Sequence, residues 1–343
     1  MDPLTQIALG SAIGTVSLGR KVGARKAAIV GGIVAELPDL DVFFPSDSVI
    51  DAFVSHRGPT HSILMQLLAM PLFGEVLRRL DARLAGERLL CYGVAFALLS
   101  THALLDGFTT YGTKLLWPLF TEPISWSSIF IIDPLYTLPL VVAMFVSLFS
   151  RAPAGPSPLG ERARRAASWG LILSSAYMGW TLAARELAQT KVLAALAAEN
   201  AAYQRLTMIP MPFNSLLWRG LAVDGERYVN VYVSLLDGDA PALLHPHPRN
   251  LDLAEALPDQ WPVERIAWFS HGFYSMSRDG DDILVTDLRM GVDPNFVFTF
   301  RVAAFNGDTA EMLPPVRASR GNDWSQLGWL WRRIFDETAL RDE

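Results

Sequence analysis

The sequence predicts a mainly α-helical protein, with a polytopic membrane domain of about six apolar helices followed by a C-terminal α+β domain. Composition is the first observation: 51% of the 343 residues are hydrophobic, only 19% are charged, and the mean hydropathy is +0.25. The second is a series of six apolar segments in the first half of the chain, and the third is a polar, strand-like sequence after it. We therefore expect a helical membrane domain at 1–190 and an α+β domain at 191–343.

The six apolar segments differ in how well they fit a hydrocarbon core of about 30 Å. The last three are nearest to the required length, and the third is a fair candidate. The first two are short and rich in glycine and alanine, which predicts close helix packing, with a re-entrant hairpin as the alternative. The segments are 4–19, 27–37, 63–80, 89–105, 129–149 and 166–188.

The charges of the connecting loops predict the orientation of these segments. The loops 20–26, 78–88 and 151–165 each carry four basic residues, and with six spans they fall on one face. The positive-inside rule assigns that face to the cytoplasm. The loops 38–62 and 106–128 then lie outside, and the C-terminal domain is expected to be extracytoplasmic.

The region after residue 190 shows alternating apolar residues typical of strands. We expect strands at 228–235, 265–277, 283–290 and 296–305, forming an antiparallel sheet. The sequence Arg278-Asp279-Gly280-Asp281 between two of them predicts a hairpin turn.

Six acidic and imidazole side chains crowd into three short motifs of the first 110 residues. Ionisable groups are costly inside a membrane, so a group of six near one face calls for a compensating partner, and a cation is the simplest one. His102 and Asp106 are one helical turn apart and can coordinate the same ion. The predicted metal ligands are Asp39, Asp41, His56, His61, His102 and Asp106.

Imidazole and carboxylate ligands without thiolate suit Zn²⁺ or Mn²⁺. Six candidate ligands exceed the number in a mononuclear catalytic zinc site, so we expect one or two ions. A polar network without metal is the alternative. Glu36 and Arg57 are the candidate catalytic residues, as a general base and an anion clamp, although Arg57 could instead pair with Asp51. The candidates for orienting the ligands are Thr60, Ser62, Thr101, Thr109 and Thr110.

Charge and cysteine content exclude some classes of protein. A formal charge of −6 argues against a nucleic-acid partner, which would favour a basic face. The single Cys91 excludes a disulfide framework and a thiolate zinc site.

The motifs resemble those of the YdjM/YbcI-type membrane-bound, metal-dependent hydrolases of bacterial inner membranes. The resemblance covers residues 1–140, and later Asn214-Ser215-Leu216-Leu217-Trp218 resembles one branch. Many members have a histidine where this chain has Gln6, so we assign no metal to Gln6. The matching residues are Asp2-Pro3-Leu4-Thr5-Gln6, Leu37-Pro38-Asp39-Leu40-Asp41, His56-Arg57-Gly58-Pro59-Thr60-His61-Ser62, Ser100-Thr101-His102, Leu105-Asp106, Thr109-Thr110-Tyr111-Gly112-Thr113, Trp117-Pro118 and Asp133-Pro134-Leu135.

The resemblance implies a hydrolase in the inner (cytoplasmic) membrane. We expect it to cleave a phosphoester or another ester of a lipid or lipid-linked molecule at the outer face, where the bilayer would be its partner. A non-enzymatic envelope protein with a structural metal or polar cluster is the first alternative, and a transporter is the second.

Overall fold

The computed structural model describes residues 1–151, 153–238, 242–318 and 325–339. The chain divides into two compact units. Unit 1 consists of Met1–Phe43, Arg57–Leu182 and Pro212–Asn214. Unit 2 consists of Phe44–His56, Ala183–Met211 and Ser215–Glu343. The domain boundary after residue 190 stays a prediction.

Helices form most of unit 1. Several begin at a side chain that accepts a hydrogen bond from the first turn: Asp2 caps α1, Ser62 caps α4 and Asp133 caps α6. In the described ranges the α-helices are α1 (Pro3–Val22), α2 (Ala24–Ala35), α3 (Val49–Ser55), α4 (Ile63–Arg79), α5 (Arg88–Gly107), α6 (Pro134–Phe149), α7 (Pro158–Ala198), α8 (Trp261–Phe269) and α9 (Ser325–Phe335).

The helices α1 and α2 form a tightly packed hairpin around Gly23, whose φ of 88° favours glycine. A Cβ atom on Gly31 would overlap the carbonyl oxygen of Gly10, and one on Gly14 would overlap that of Ala27. The close packing predicted from the small residues is therefore confirmed. Because Gly10 lies against Ala35, the first turns of α1 lie beside the end of α2.

The prediction of about six membrane-spanning helices is wrong. Among the described residues, only α5 is by itself long and apolar enough to cross a membrane. If the bent helix pair Val49–His61 and Ile63–Arg79 forms a single span, the number of spans rises to two. The others fail on length or polarity. The 12 residues of α2 reach only about 18 Å and the 16 of α6 about 24 Å. Polar side chains interrupt the rest, such as Gln6 in α1 and Arg185 in α7.

Unit 1 nevertheless exposes many large apolar side chains. Leu68 and Leu72 of α4 are 73% and 66% exposed, and Phe149 of α6 is 77% exposed. Leu68 and Leu72 lie one turn apart on α4, and exposed apolar patches mark membrane or protein contacts.

The three basic loops lie together at one end of unit 1. Arg20 pairs with Glu161 at 2.8 Å, and Lys26 pairs with Asp81 at 2.8 Å. A further ion pair joins Lys21 to Glu87, directly before α5. Since α5 is 20 residues long, its other end lies about 28 Å away from these loops.

Unit 2 contains two antiparallel four-stranded sheets instead of one, with the strand orders β1-β2-β3-β4 and β5-β6-β7-β8. The predicted turn is confirmed, because Asp279 and Asp282 pair across Gly280. The described strands are β1 (Arg205–Pro210), β2 (Leu217–Val223), β3 (Arg227–Ser234), β4 (Leu244–Pro248), β5 (Tyr274–Asp279), β6 (Asp282–Val292), β7 (Asn295–Asn306) and β8 (Thr309–Arg317).

The strand predicted at 265–277 is wrong in its first half, where the chain forms the end of α8. Pro262 lies in the first turn of this helix, a position that favours proline. Val263, Ile266 and Phe269 are buried at a spacing of three residues, which places them on one face of a helix.

Candidate metal centre

Four side chains of unit 1 bring one donor atom each to a common point. His61 Nε2 lies 3.1 Å from Asp39 Oδ1, 3.3 Å from Asp106 Oδ2 and 3.2 Å from His102 Nε2. His102 Nε2 lies 3.4 Å from Asp39 Oδ1 and 3.6 Å from Asp106 Oδ2. All four atoms lie within 4.8 Å of one another. The side chains of both histidines and of Asp106 are fully buried, and that of Asp39 is 21% exposed.

These distances fit a divalent cation. Ligand atoms about 2.0–2.1 Å from a tetrahedral ion are separated by about 3.3–3.4 Å. The five measured separations run from 3.1 to 3.6 Å. Asp106 Oδ2 is buried, lies 3.3 Å from His61 Nε2 and forms an ion pair with Arg57 Nε. The cluster is therefore a possible metal-binding site.

Local structure explains how each donor reaches the cluster. His102 and Asp106 lie one turn apart near the end of α5. His61 ends the short 3₁₀ helix Pro59–His61, directly before Ser62 caps α4. Asp39 lies in the 3₁₀ helix Leu37–Phe43, which follows α2.

Asp106 is held on both of its oxygens. Arg57 Nε lies 3.0 Å from Oδ2, while Gln6 Nε2 donates to Oδ1 at 3.1 Å, and the amino group of Met1 also contacts Oδ1. Arg57 also donates to Thr109 Oγ1 at 2.9 Å and lies over the ring of Tyr111. The guanidinium group is thus engaged with Asp106.

Asp41 lies behind the cluster and contacts His61 mainly through Thr60. Its Oδ2 accepts hydrogen bonds from Arg57 N and from Thr60 Oγ1, each at 3.0 Å. Thr60 Oγ1 also lies 3.0 Å from His61 Nδ1. Since the threonine proton goes to Asp41, His61 Nδ1 is the donor to Thr60. The neutral ring then keeps a lone pair on Nε2, the atom that faces the cluster.

The carboxyl groups of Asp39 and Glu36 have shifted pKa values. Burial raises the pKa of Asp39, but hydrogen bonds from His102 and His61 outweigh it and hold that pKa well below its usual range. Burial, together with the negative charge of Asp39, raises the pKa of Glu36 to about 7. Glu36 Oε1 is buried and has no hydrogen-bond partner among the described residues.

The other predicted residues are not members of the four-residue cluster. His56 is in unit 2, where its N–H bonds the last turn of α3, and its role as a ligand stays a prediction. Asp51, the alternative partner of Arg57, is also in unit 2 and bonds Ser48. Ser62 caps α4, and the hydroxyls of Thr101 and Thr110 bond Ala97 and Ser127 rather than a ligand.

Gln6 and the Met1 amino group, which the motifs did not indicate, are partners of Asp106. The available signal for Gln6 was a polar amide within the apolar segment 4–19. No local pattern pairs Gln6 with Asp106, because 100 residues separate them.

Comparison with known proteins identifies a family for the first half of the chain. No curated protein and no solved structure matches the chain. The model of a family described as YdjM inner membrane protein matches residues 1–188, which include all four residues of the cluster and more than half of the chain. The chain belongs to the YdjM inner membrane protein family.

Proposed function

We propose that this protein is a metal-dependent hydrolase of the inner membrane, acting on a phosphoester or another ester of a lipid or lipid-linked molecule. The observation that carries the proposal is the cluster of Asp39, His61, His102 and Asp106, whose donor atoms lie 3.1–3.6 Å apart in five of six pairs. A divalent cation held there would supply Lewis acidity towards the ester oxygen.

Zn²⁺ and Mn²⁺ both suit this donor set, and they lead to different expectations. Four protein ligands complete a tetrahedral zinc shell, which is typical of structural sites, whereas catalytic zinc keeps an open position. Mn²⁺ favours octahedral coordination and would keep open positions beyond the four protein donors. The hydrolase proposal therefore favours Mn²⁺, or a zinc shell that expands.

Glu36 is the proposed general base. A base is most effective when its pKa is near the working pH, and burial raises the pKa of Glu36 to about 7. Its unpartnered Oε1 is free to accept a proton from water. Arg57 has a positioning role in the proposal, because it is buried against Asp106 and Thr109.

The proposed location of the site is near the extracytoplasmic face. The basic loops lie at the opposite end of α5 from Asp106, and the positive-inside rule would put them in the cytoplasm. The cluster would then meet lipid headgroups at that face.

A structural metal centre is the second candidate, and the completeness of a four-ligand zinc shell favours it. Metal analysis of the detergent-purified protein, followed by hydrolysis assays, separates the two. The assays would use bis-p-nitrophenyl phosphate, p-nitrophenyl acyl esters and phospholipid vesicles, with EDTA and after reloading with Mn²⁺ or Zn²⁺. Hydrolysis that EDTA abolishes and Mn²⁺ restores supports the hydrolase. A protein that retains its metal and cleaves none of these substrates is a scaffold.

A further inference from the structure

Two loops of unit 1 that adjoin the candidate metal centre expose large apolar side chains. One is the 3₁₀ helix Leu37–Phe43, and the other is the loop 115–120 after α5. Phe43 is 80% exposed in the first loop, and Leu119 is 81% exposed in the second. The exposed apolar side chains of the two loops form a surface that we call the apolar rim: Leu40, Val42, Phe43, Leu116, Leu119 and Phe120.

Both loops are hydrogen-bonded to the turn that carries His61. On one side, Thr60 Oγ1 donates to Asp41 Oδ2 at 3.0 Å. On the other side, Ile63 N donates to Leu115 O at 2.9 Å. The apolar rim therefore lies beside the turn that brings His61 to the metal centre.

The metal centre is accessible at the edge where the apolar rim begins. Of its four side chains, those of His61, His102 and Asp106 are fully buried, whereas that of Asp39 is partly exposed. Asp39 directly precedes Leu40, the first residue of the apolar rim. A molecule that reaches the centre at Asp39 therefore has apolar side chains next to it.

The packing of α4 on α5 places the apolar rim at one end of the candidate membrane span. A Cβ atom on Gly74 of α4 would overlap the ring of Tyr92 near the start of α5, so Ile63 lies near the other end of α5, beside Asp106. When the 20 residues of α5 cross the bilayer, this end lies at the boundary between hydrocarbon and headgroups. The loop bonded to Ile63 lies at the same depth.

The chemistry of the apolar rim fits acyl chains at that boundary. The sequence from Leu115 to Phe120 has no charged side chain. Large apolar side chains at this depth leave water by entering the acyl layer, as those of interfacial segments do. Because the chain belongs to an inner membrane protein family, the bilayer is the partner that the position of the rim favours over another protein.

We propose that the apolar rim inserts into the acyl layer of the bilayer beside the candidate metal centre. The substrate is then a membrane lipid, whose acyl chain lies along the rim while its ester bond reaches the centre at Asp39. The choice of substrate rests on the proposed function, whereas the insertion can be measured without metal or activity.

Insertion is measured with fluorescent labels on the full-length protein in vesicles of phosphatidylcholine and phosphatidylglycerol. The sequence has one cysteine, Cys91, which is buried, so a cysteine added at the surface reacts selectively with an NBD iodoacetamide. The labelled variants are Leu119→Cys and Phe43→Cys. Gly86→Cys is the matched control, because Gly86 is exposed before the start of α5 and nothing described lies within 4 Å of its Cβ position.

We expect lipids with a spin label on the acyl chain to quench NBD at both rim positions. Iodide, present on both sides of the vesicles, should quench it only at the control position. Iodide quenching at the rim equal to that at the control would overturn the insertion. Rim labels that are shielded from both quenchers would also overturn it and would indicate a protein partner.

The substrate class is tested with Leu119→Asp in the Mn²⁺-loaded protein. Hydrolysis of the same phospholipid vesicles is compared with that of bis-p-nitrophenyl phosphate, which has no acyl chain. Leu89→Asp is the control, because it makes the same change at an exposed leucine in the first turn of α5.

We expect Leu119→Asp to raise the KM for the vesicles by about tenfold or more relative to the KM for the soluble ester, a factor that matches the burial of one leucine side chain. Leu89→Asp should leave this ratio unchanged. An equal rise of both KM values, or the same shift in Leu89→Asp, would overturn the lipid assignment. If the wild type cleaves neither substrate, the proposed function fails together with this assignment, and the quenching of the labels still decides the insertion.

Discussion

The Nε2 atoms of His61 and His102 face each other at 3.2 Å, although 41 residues separate the two histidines. His61 Nδ1 donates to Thr60, so a neutral ring directs a lone pair at its neighbour. Carboxylate oxygens of Asp39 and Asp106 complete the group. Four electron-rich atoms in one buried place repel each other unless a proton or a cation lies between them.

The first prediction follows from that repulsion. His102→Ala and Asp106→Ala should each abolish Zn²⁺ or Mn²⁺ binding, because each removes one of four donors. Thr60→Val should weaken binding by about 10–100-fold, because His61 loses the partner that orients it. Titration calorimetry measures all three, with His247→Ala in β4 as the control. Full affinity in His102→Ala would exclude this cluster as the metal site.

The second prediction concerns the ion pair between Arg57 and Asp106. Arg57→Ala should lower the free energy of unfolding by about 3–5 kcal/mol, because it leaves a buried carboxylate without its partner. Denaturant titration of the metal-free protein measures the change, and Arg79→Ala, which removes an exposed ion pair to Glu75, is the control. A stable Arg57→Ala protein in which only KM rises would instead indicate an anion clamp.

The third prediction is a pH dependence from Glu36. Its pKa is about 7 in the folded protein, against an ordinary value of 4.5. Because the folded state holds this proton more tightly, the stabilisation is complete below pH 4.5 and is lost as the pH rises through 7. Glu36→Gln should remove this component from the stability profile of the metal-free protein. Identical profiles for both proteins would contradict the assignment.

The fourth prediction tests the packing of α1 against α2. Gly31→Ala should destabilise the protein by about 1–3 kcal/mol, because the added methyl group would overlap the carbonyl oxygen of Gly10. Gly179→Ala in α7 is the matched control, since nothing lies within 4 Å of its Cβ position. Gly179→Ala should raise the free energy of unfolding by up to about 1 kcal/mol, because alanine has a higher helix propensity than glycine. Thermal unfolding in detergent compares the two, and an equal response would contradict close packing.

The fifth prediction is the orientation in the membrane. A reporter inserted at Gly86, before α5, should indicate the cytoplasm, because the surrounding loop is one of the three basic loops. A reporter inserted near Glu122, after α5, should indicate the periplasm. Alkaline phosphatase and green fluorescent protein, which are active on opposite sides of the inner membrane, provide complementary readouts. The reverse pattern would put the metal centre at the cytoplasmic face.

Local spacing was enough to predict several features from the sequence. His102 and Asp106 share a helix face because they lie four residues apart. Glycines spaced along two consecutive segments predicted the α1–α2 packing, and Gly280 predicted a hairpin turn. Each of these depends on the geometry of one element or of two adjacent ones, which the order of the residues determines.

The membership of the candidate site depends on tertiary structure. His56 and His61 bracket the same Gly-Pro turn, and His61 joins the four-residue cluster. Asp41 was predicted as a ligand, and it accepts hydrogen bonds from Arg57 and Thr60. Composition, motifs and the faces of single elements follow directly from the order of the residues. Which distant residues meet depended on long-range packing, since contacts across 41 or 100 residues leave no periodic signal in the chain.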